Sequence, residues 1–145
     1  MIKNDVTIHI NRPVEQVFTF LADTKNLRSW QSDLVENEQL TEEPLRTGSR
    51  FREVRRTGPR NSEIQAEMTV FEPNKRFATK TLTKPQVTVS YTFDEENGGT
   101  LITCNFVMIT SGFMRLLEPL IAGSMKKDTG ADFEKLKQIL ENKAS

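Results

Sequence analysis

Val6, Ile8 and Ile10 alternate with Thr7 and His9 near the start of the chain, the two-residue period of a strand with one apolar face. The period then changes. Val14, Val17, Phe18 and Leu21 recur three and four apart, which predicts a short helix capped by Asn11 with Pro13 in its first turn. Asp23 and Thr24 end it, and residues 26–32 read as a second helical turn carrying Leu27 and Trp30. Six further strands follow, near 34–41, 49–56, 62–71, 76–83, 86–94 and 100–109. Their separators are Pro44 with Gly48, Gly58-Pro59, Pro73-Asn74, Lys84-Pro85 and Asn97-Gly98-Gly99, turn chemistry that a continuing strand rejects. Links this short make successive strands antiparallel neighbours.

The remaining pattern is helical. It opens near Thr110 and Ser111 and carries Phe113, Leu117, Ile121, Met125, Phe133, Leu136 and Leu140 at helical spacing. Pro119 is expected to bend or interrupt it, and Gly123 and Gly130 to weaken it, leaving 133–141 as the firmest segment. Seven strands sharing one apolar face cannot bury it under a single helix about 10 Å wide while the sheet stays flat. The sheet must curl around the helix, and the mouth of such a grip is a common place for a small-molecule site. The two early helices close one end, which places Trp30, the one tryptophan, near the rim.

Alternation nominates the lining. Ile64, Ala66, Met68 and Val70 share the inward face of one strand, Val87, Val89, Tyr91 and Phe93 that of another, and Ile102, Cys104, Phe106 and Met108 that of the last. Ordinary core packing asks for the same residues, so the pattern outlines a lining without naming a ligand. Tyr91 needs a partner for its hydroxyl, either a ligand, a water or a neighbour such as Thr79. If Phe51 faces inward, Glu53 and Arg55 do too. A paired Glu53 and Arg55 would hold a carbonyl or a water, a desolvated Glu53 would serve as general acid or base, and the bland alternative is a rim position in water.

Composition narrows the classes. The chain has 145 residues, enough for one domain over 1–145, with 20 basic and 20 acidic side chains and no net charge to draw nucleic acid or anionic lipid. The run RFREVRRTGPR faces acids at Asp33, Glu36, Glu38, Glu42 and Glu43, so a charge-paired exposed surface is expected in place of a nucleic-acid patch. One cysteine and one histidine leave no disulfide framework and too few soft ligands for a zinc or iron site, and no cofactor is implied. No signal-peptide run and no stretch of about 18 apolar residues occurs, so a cytoplasmic protein without membrane insertion is expected. Monomer and homodimer both remain open.

The segments IHINRPVEQVFTFLADTKNLRSW, TGSRFREV, AEMTVFEPNKRFA, VSYTFDEENGGTLIT and FEKLKQILE together resemble the START-like (SRPBCC) superfamily, in its polyketide cyclase/dehydrase-like branch. The resemblance implies an α+β helix-grip fold in the order β-α-α-β6-α, with an internal apolar pocket. It also implies lipid carriers, cyclases, hydroxylase subunits and chaperone regulators alike, and supplies no fixed triad. The leading expectation is a noncatalytic carrier or sensor of a small hydrophobic molecule. Trp30, Phe51, Met68, Val89, Tyr91, Cys104, Phe106, Phe113, Leu117 and Met125 would line or gate the pocket. A cyclase or dehydratase using Glu53, Arg55 and Tyr91 is the first alternative, and a protein-interaction module the second.

Overall fold

The first and last strands of the chain pair side by side, and that pairing organises the sheet. In a computed structural model, which describes residues 1–142, β1 (Ile2–Ile10) lies antiparallel to β7 (Gly99–Met108) in unbroken register from Ile2 opposite Met108 to Ile10 opposite Thr100. The other strands are β2 (Leu34–Gln39), β3 (Arg50–Thr57), β4 (Arg60–Glu72), β5 (Arg76–Thr81) and β6 (Val87–Glu96). Their spatial order is β1-β7-β6-β5-β4-β3-β2, every neighbour antiparallel. Between β1 and β2 come α1 (Val14–Ala22), a 3-10 turn (Thr24–Asn26) and α2 (Leu27–Trp30). A second 3-10 segment (Gly112–Leu117) leads into α3 (Glu118–Asn142). This is the expected helix-grip arrangement, a curved seven-stranded sheet around a long terminal helix.

Local chemistry explains the joints. The β6–β7 hairpin turns on Asn97 and Gly98, both at positive φ, the backbone twist that a two-residue hairpin loop needs. Gly99 follows because β1 passes so close that a Cβ there would stand 2.5 Å from the Ile10 carbonyl oxygen and 2.9 Å from the His9 ring.

Two local expectations are corrected. Asn11 does not cap α1. Pro13 takes the N-cap position without a side-chain hydrogen bond, while the Asn11 backbone N–H donates to Glu141 Oε2 at 2.9 Å. Val70 is absent from the core cluster, because a bulge between Met68 and Val70 shifts the pleat by one residue. Phe71 takes the inward place, 5.6 Å from the Phe18 ring. The early interruption expected at Pro119 is there: the 3-10 segment ends at Leu117 and α3 starts at Glu118, with Pro119 in its first turn, where a missing N–H has no intrahelical partner to lose.

The core runs under α1 and the C-terminal half of α3. Phe18 packs against Phe77 and Phe93 at 5.8 and 5.1 Å, fixing α1 over the middle of the sheet. In α3 the buried residues are Phe133, Leu136 and Leu140, all in its second half. Polar ties hold that same end. Lys137 Nζ donates to the His9 carbonyl at 2.6 Å, and Arg12 Nη2 donates to the Glu141 carbonyl at the helix terminus.

Because only this half of α3 is embedded, apolar truncations along the helix should differ sharply. Leu136→Ala, at a fully buried position, should cost about 2–5 kcal/mol. Leu120→Ala, at a position 74% exposed, should stay within about 0.5 kcal/mol. Urea denaturation midpoints of the two variants check this.

Candidate functional site

Ile121, Met125, Asp128 and Asp132 of α3 border the space under the helix, a stripe at spacings of four, three and four, with Asp128 exposed at its edge. Two of those four are acids, which do not interdigitate with an apolar sheet as Phe133 and Leu136 do. A cavity of about 780 Å³ remains between that half of the helix and the sheet. Its size lies in the range of small-molecule sites.

Most of the expected lining is there. Trp30, Phe51, Met68 and Val89 line the cavity together with Tyr91, Cys104, Phe106 and Met125. Phe113 and Leu117 lie outside it, Phe113 at 74% exposure. The reason is local. Residues 112–117 form a 3-10 segment, whose three-residue turn rotates side chains differently from the α-helical spacing assumed for them. Met114, between the two, faces the cavity instead.

The three polar candidates also converge. Arg55 Nε donates to Glu53 Oε1 at 3.1 Å, Nη1 to Asp33 Oδ1 at 3.0 Å and Nη2 to Gln31 Oε1 at 2.8 Å. The Glu53 and Arg55 side chains are 17% and 23% exposed, so they form a partly buried pair in place of a fully solvated rim. Burial opposes the Arg55 charge, but the carboxylates of Glu53 and Asp33 outweigh it, and the guanidinium is held protonated more firmly than usual. Asp33 is corrected by this contact. Expected on the exposed charge-paired face, it reaches across to the cavity rim because the α2–β2 link brings it beside β3. Arg52 keeps the exposed role, between Glu38 at 3.7 Å and Glu63.

Tyr91 lies directly across from Cys104 on β7. Burial first, then that neighbour, pushes the phenol well above its usual range. Burial pushes the Cys104 thiol up to about 12, with the neighbouring Tyr91 side chain pulling the other way. Both are neutral donors under ordinary conditions, with no base or thiolate between them.

Two features of the site escaped the sequence reading. Phe133 lies between the Trp30 ring at 5.4 Å and the Tyr91 ring at 6.4 Å, completing an aromatic wall. Asp132, whose carboxyl is pushed up by burial despite a hydrogen bond from the Ser32 backbone N–H at 3.2 Å, fastens α2 to α3. The one available signal was the acidic spacing on the inner face of α3. Around the cavity the carboxylates are Asp33, Glu53, Glu63, Asp128 and Asp132, and the cations are Arg55, Arg56 and Lys84. Among the described residues no group of three or more His, Cys, Asp or Glu is placed to hold a metal ion, and no helix is long and apolar enough to cross a membrane.

The family model described as polyketide cyclase / dehydrase and lipid transport matches residues 1–141. No protein of curated function matches the sequence. Among solved structures, TTHA0849 from Thermus thermophilus is similar with a TM-score of 0.83 at 16% identity, covering 99% of each chain. MLL2253 from Mesorhizobium loti gives 0.73 at 20% identity, covering 97% of each chain. The di-domain ARO/CYC StfQ of the steffimycin biosynthetic pathway gives 0.79 at 11% identity, covering 99% of this chain and 52% of that one. At these identities the likeness is one of fold.

The buried thiol gives a pH dependence with a definite sign. In the folded chain Cys104 stays protonated to about 12, against an ordinary value of 9.0, so folded protein retains a proton that unfolded chain releases. Its stabilising contribution is complete below about pH 9 and is lost as the pH rises through about 12, with Tyr91 acting in the same direction. Urea denaturation between pH 8 and 11 should show falling stability, and Cys104→Ala should make that fall shallower.

Proposed function

The chain belongs to the polyketide cyclase / dehydrase and lipid transport family, and from that premise we propose that it binds a small hydrophobic molecule in the cavity between the sheet and α3. The reading is that of a noncatalytic carrier or sensor. The observation that carries it is the cavity itself, about 780 Å³ bounded by Phe51, Met68, Val89, Phe106 and Met125. An apolar molecule of roughly 200 Å² surface would gain on the order of 5 kcal/mol there before the cost of ordering it.

The cyclase or dehydratase alternative has less behind it. Glu53, its candidate acid or base, is engaged by Arg55, whose other nitrogens are engaged by Asp33 and Gln31. Tyr91 and Cys104 are neutral. Such a set can orient a ligand and hold a water, but it offers no proton acceptor that is not already bound to a cation. The interaction-module alternative rests on the acid and arginine strands, where Arg52 is matched within the chain by Glu38 and Glu63.

Native mass spectrometry of freshly purified protein should show a bound small molecule or a gain in mass on adding an apolar probe such as 2-acetonaphthone. At a hundredfold excess over Kd the probe should raise Tm by about 5–10 °C. Met68→Trp, which grows into the cavity, should weaken binding at least about tenfold, while Glu53→Gln should leave it within about twofold. A cavity that takes up no apolar probe, or an affinity abolished by Glu53→Gln, would refute the carrier reading.

A further inference from the structure

The segment that opens α3 is apolar on two sides. Met114, Ile121 and Met125 line the cavity from one of them. On the other, Phe113, Leu116 and Leu120 are 74%, 77% and 74% exposed. Their spacing makes one ridge of them. A turn of the 3-10 segment takes about three residues, so Phe113 and Leu116 are eclipsed. Glu118, at φ −49° and ψ −46°, carries the chain into α3 without a break, and Leu120 comes a little over one turn after Leu116. With Leu117 at its edge the ridge exposes on the order of 500 Å² of apolar surface, near the upper limit of what monomers leave uncovered. A helical segment apolar on both faces is ordinarily covered on both.

The same face ends in a hollow. Gly123, just beyond Leu120, is exposed, and a Cβ added there would meet nothing within 4 Å. Rises of about 2.0 Å per residue in the 3-10 segment and about 1.5 Å in α3 place Phe113 about 6 Å before Leu116 and Gly123 about 4.5 Å after Leu120. Turned over by a two-fold axis between Leu116 and Leu120, the face therefore matches itself. Phe113 stands over Gly123 of the partner subunit, and Leu116 meets Leu120 of the partner subunit, the self-complementarity that a two-fold interface requires. Doubled across the axis, the ridge alone would take about 1,000 Å² out of water, the area at which specific interfaces begin. A bilayer surface would use the ridge and leave the hollow without a role, and a chain of zero net charge has no long-range attraction to anionic lipid.

We propose that this face is the interface of a two-fold homodimer in which Phe113 of each protomer fills the hollow at Gly123 of the other. The dimer covers the outer side of the very segment whose inner side lines the cavity.

Sedimentation equilibrium over a range of concentrations tests it. The wild-type chain should sediment near its own 16.6 kDa at about 1 µM and approach twice that mass at about 200 µM, with a Kd on the order of 10 µM. At the lower concentration the monomer prevails, and there Leu120 is a solvent-exposed side chain whose truncation is neutral. Gly123→Met fills the hollow, meets nothing in its own chain and improves helix propensity. It should weaken dimerisation at least about tenfold while far-UV circular dichroism keeps its helix content. Leu116→Glu should weaken it as much, by forcing a charge into the apolar contact. A wild-type chain that stays at 16.6 kDa at about 200 µM would overturn the proposal. So would a dimer that Gly123→Met leaves as tight as before, since its interface would lie on another face. Flotation of a monomeric chain with phosphatidylcholine and phosphatidylglycerol vesicles would assign the ridge to a bilayer and overturn it as well. If one variant does not fold the other decides, and the concentration dependence of the wild type needs neither.

Discussion

The rest of the structure depends on how α3 meets the sheet. Seven strands present more inward apolar surface than one helix can cover, and α3 commits only Phe133, Leu136 and Leu140 to that surface. The helix is held at its C-terminal end by Lys137 on the His9 carbonyl and by Arg12 and Asn11 on Glu141. Its first half extends from that anchorage over the open part of the sheet and buries no side chain fully. Ile121 and Met125 border the space left there, too few to fill it, and the cavity is the result.

The charge of Arg55 is balanced locally. Glu53, Asp33 and Gln31 surround it near the rim, while Tyr91 and Cys104 face each other across β6 and β7 as neutral groups. Burial raises both of their pKa values, which is what a low-dielectric pocket does to acids that lack a cation beside them. The outcome is a site apolar in most of its surface, with few polar groups at defined places, the usual composition of a binding cavity. Among the described residues that line the cavity, Trp30 Nε1 is the one fully buried side-chain donor without a partner, and it belongs to a group that does not titrate.

Much of this was legible from the order of residues. Period-two alternation located all seven strands, turn residues marked the links, and the inward faces of β6 and β7 came out as alternation required. Failures fell where the backbone departs from its ideal period. The bulge after Met68 exchanged Val70 for Phe71, and the 3-10 segment turned Phe113 outward and Met114 inward.

What the sequence determined by itself was therefore the set of elements, their antiparallel succession and the side of each regular strand that avoids water. These follow from short-range sterics and from hydrophobic periodicity, which any window of ten residues contains. Tertiary structure alone decided which polar groups meet. Gln31 and Asp33 on Arg55, Phe133 between Trp30 and Tyr91, and the lack of an acceptor for the Trp30 indole among the described residues all depend on tertiary placement. They depend on how far the sheet curls and where α3 is anchored, and no local pattern encodes a distance between residues that lie from about twenty to a hundred positions apart.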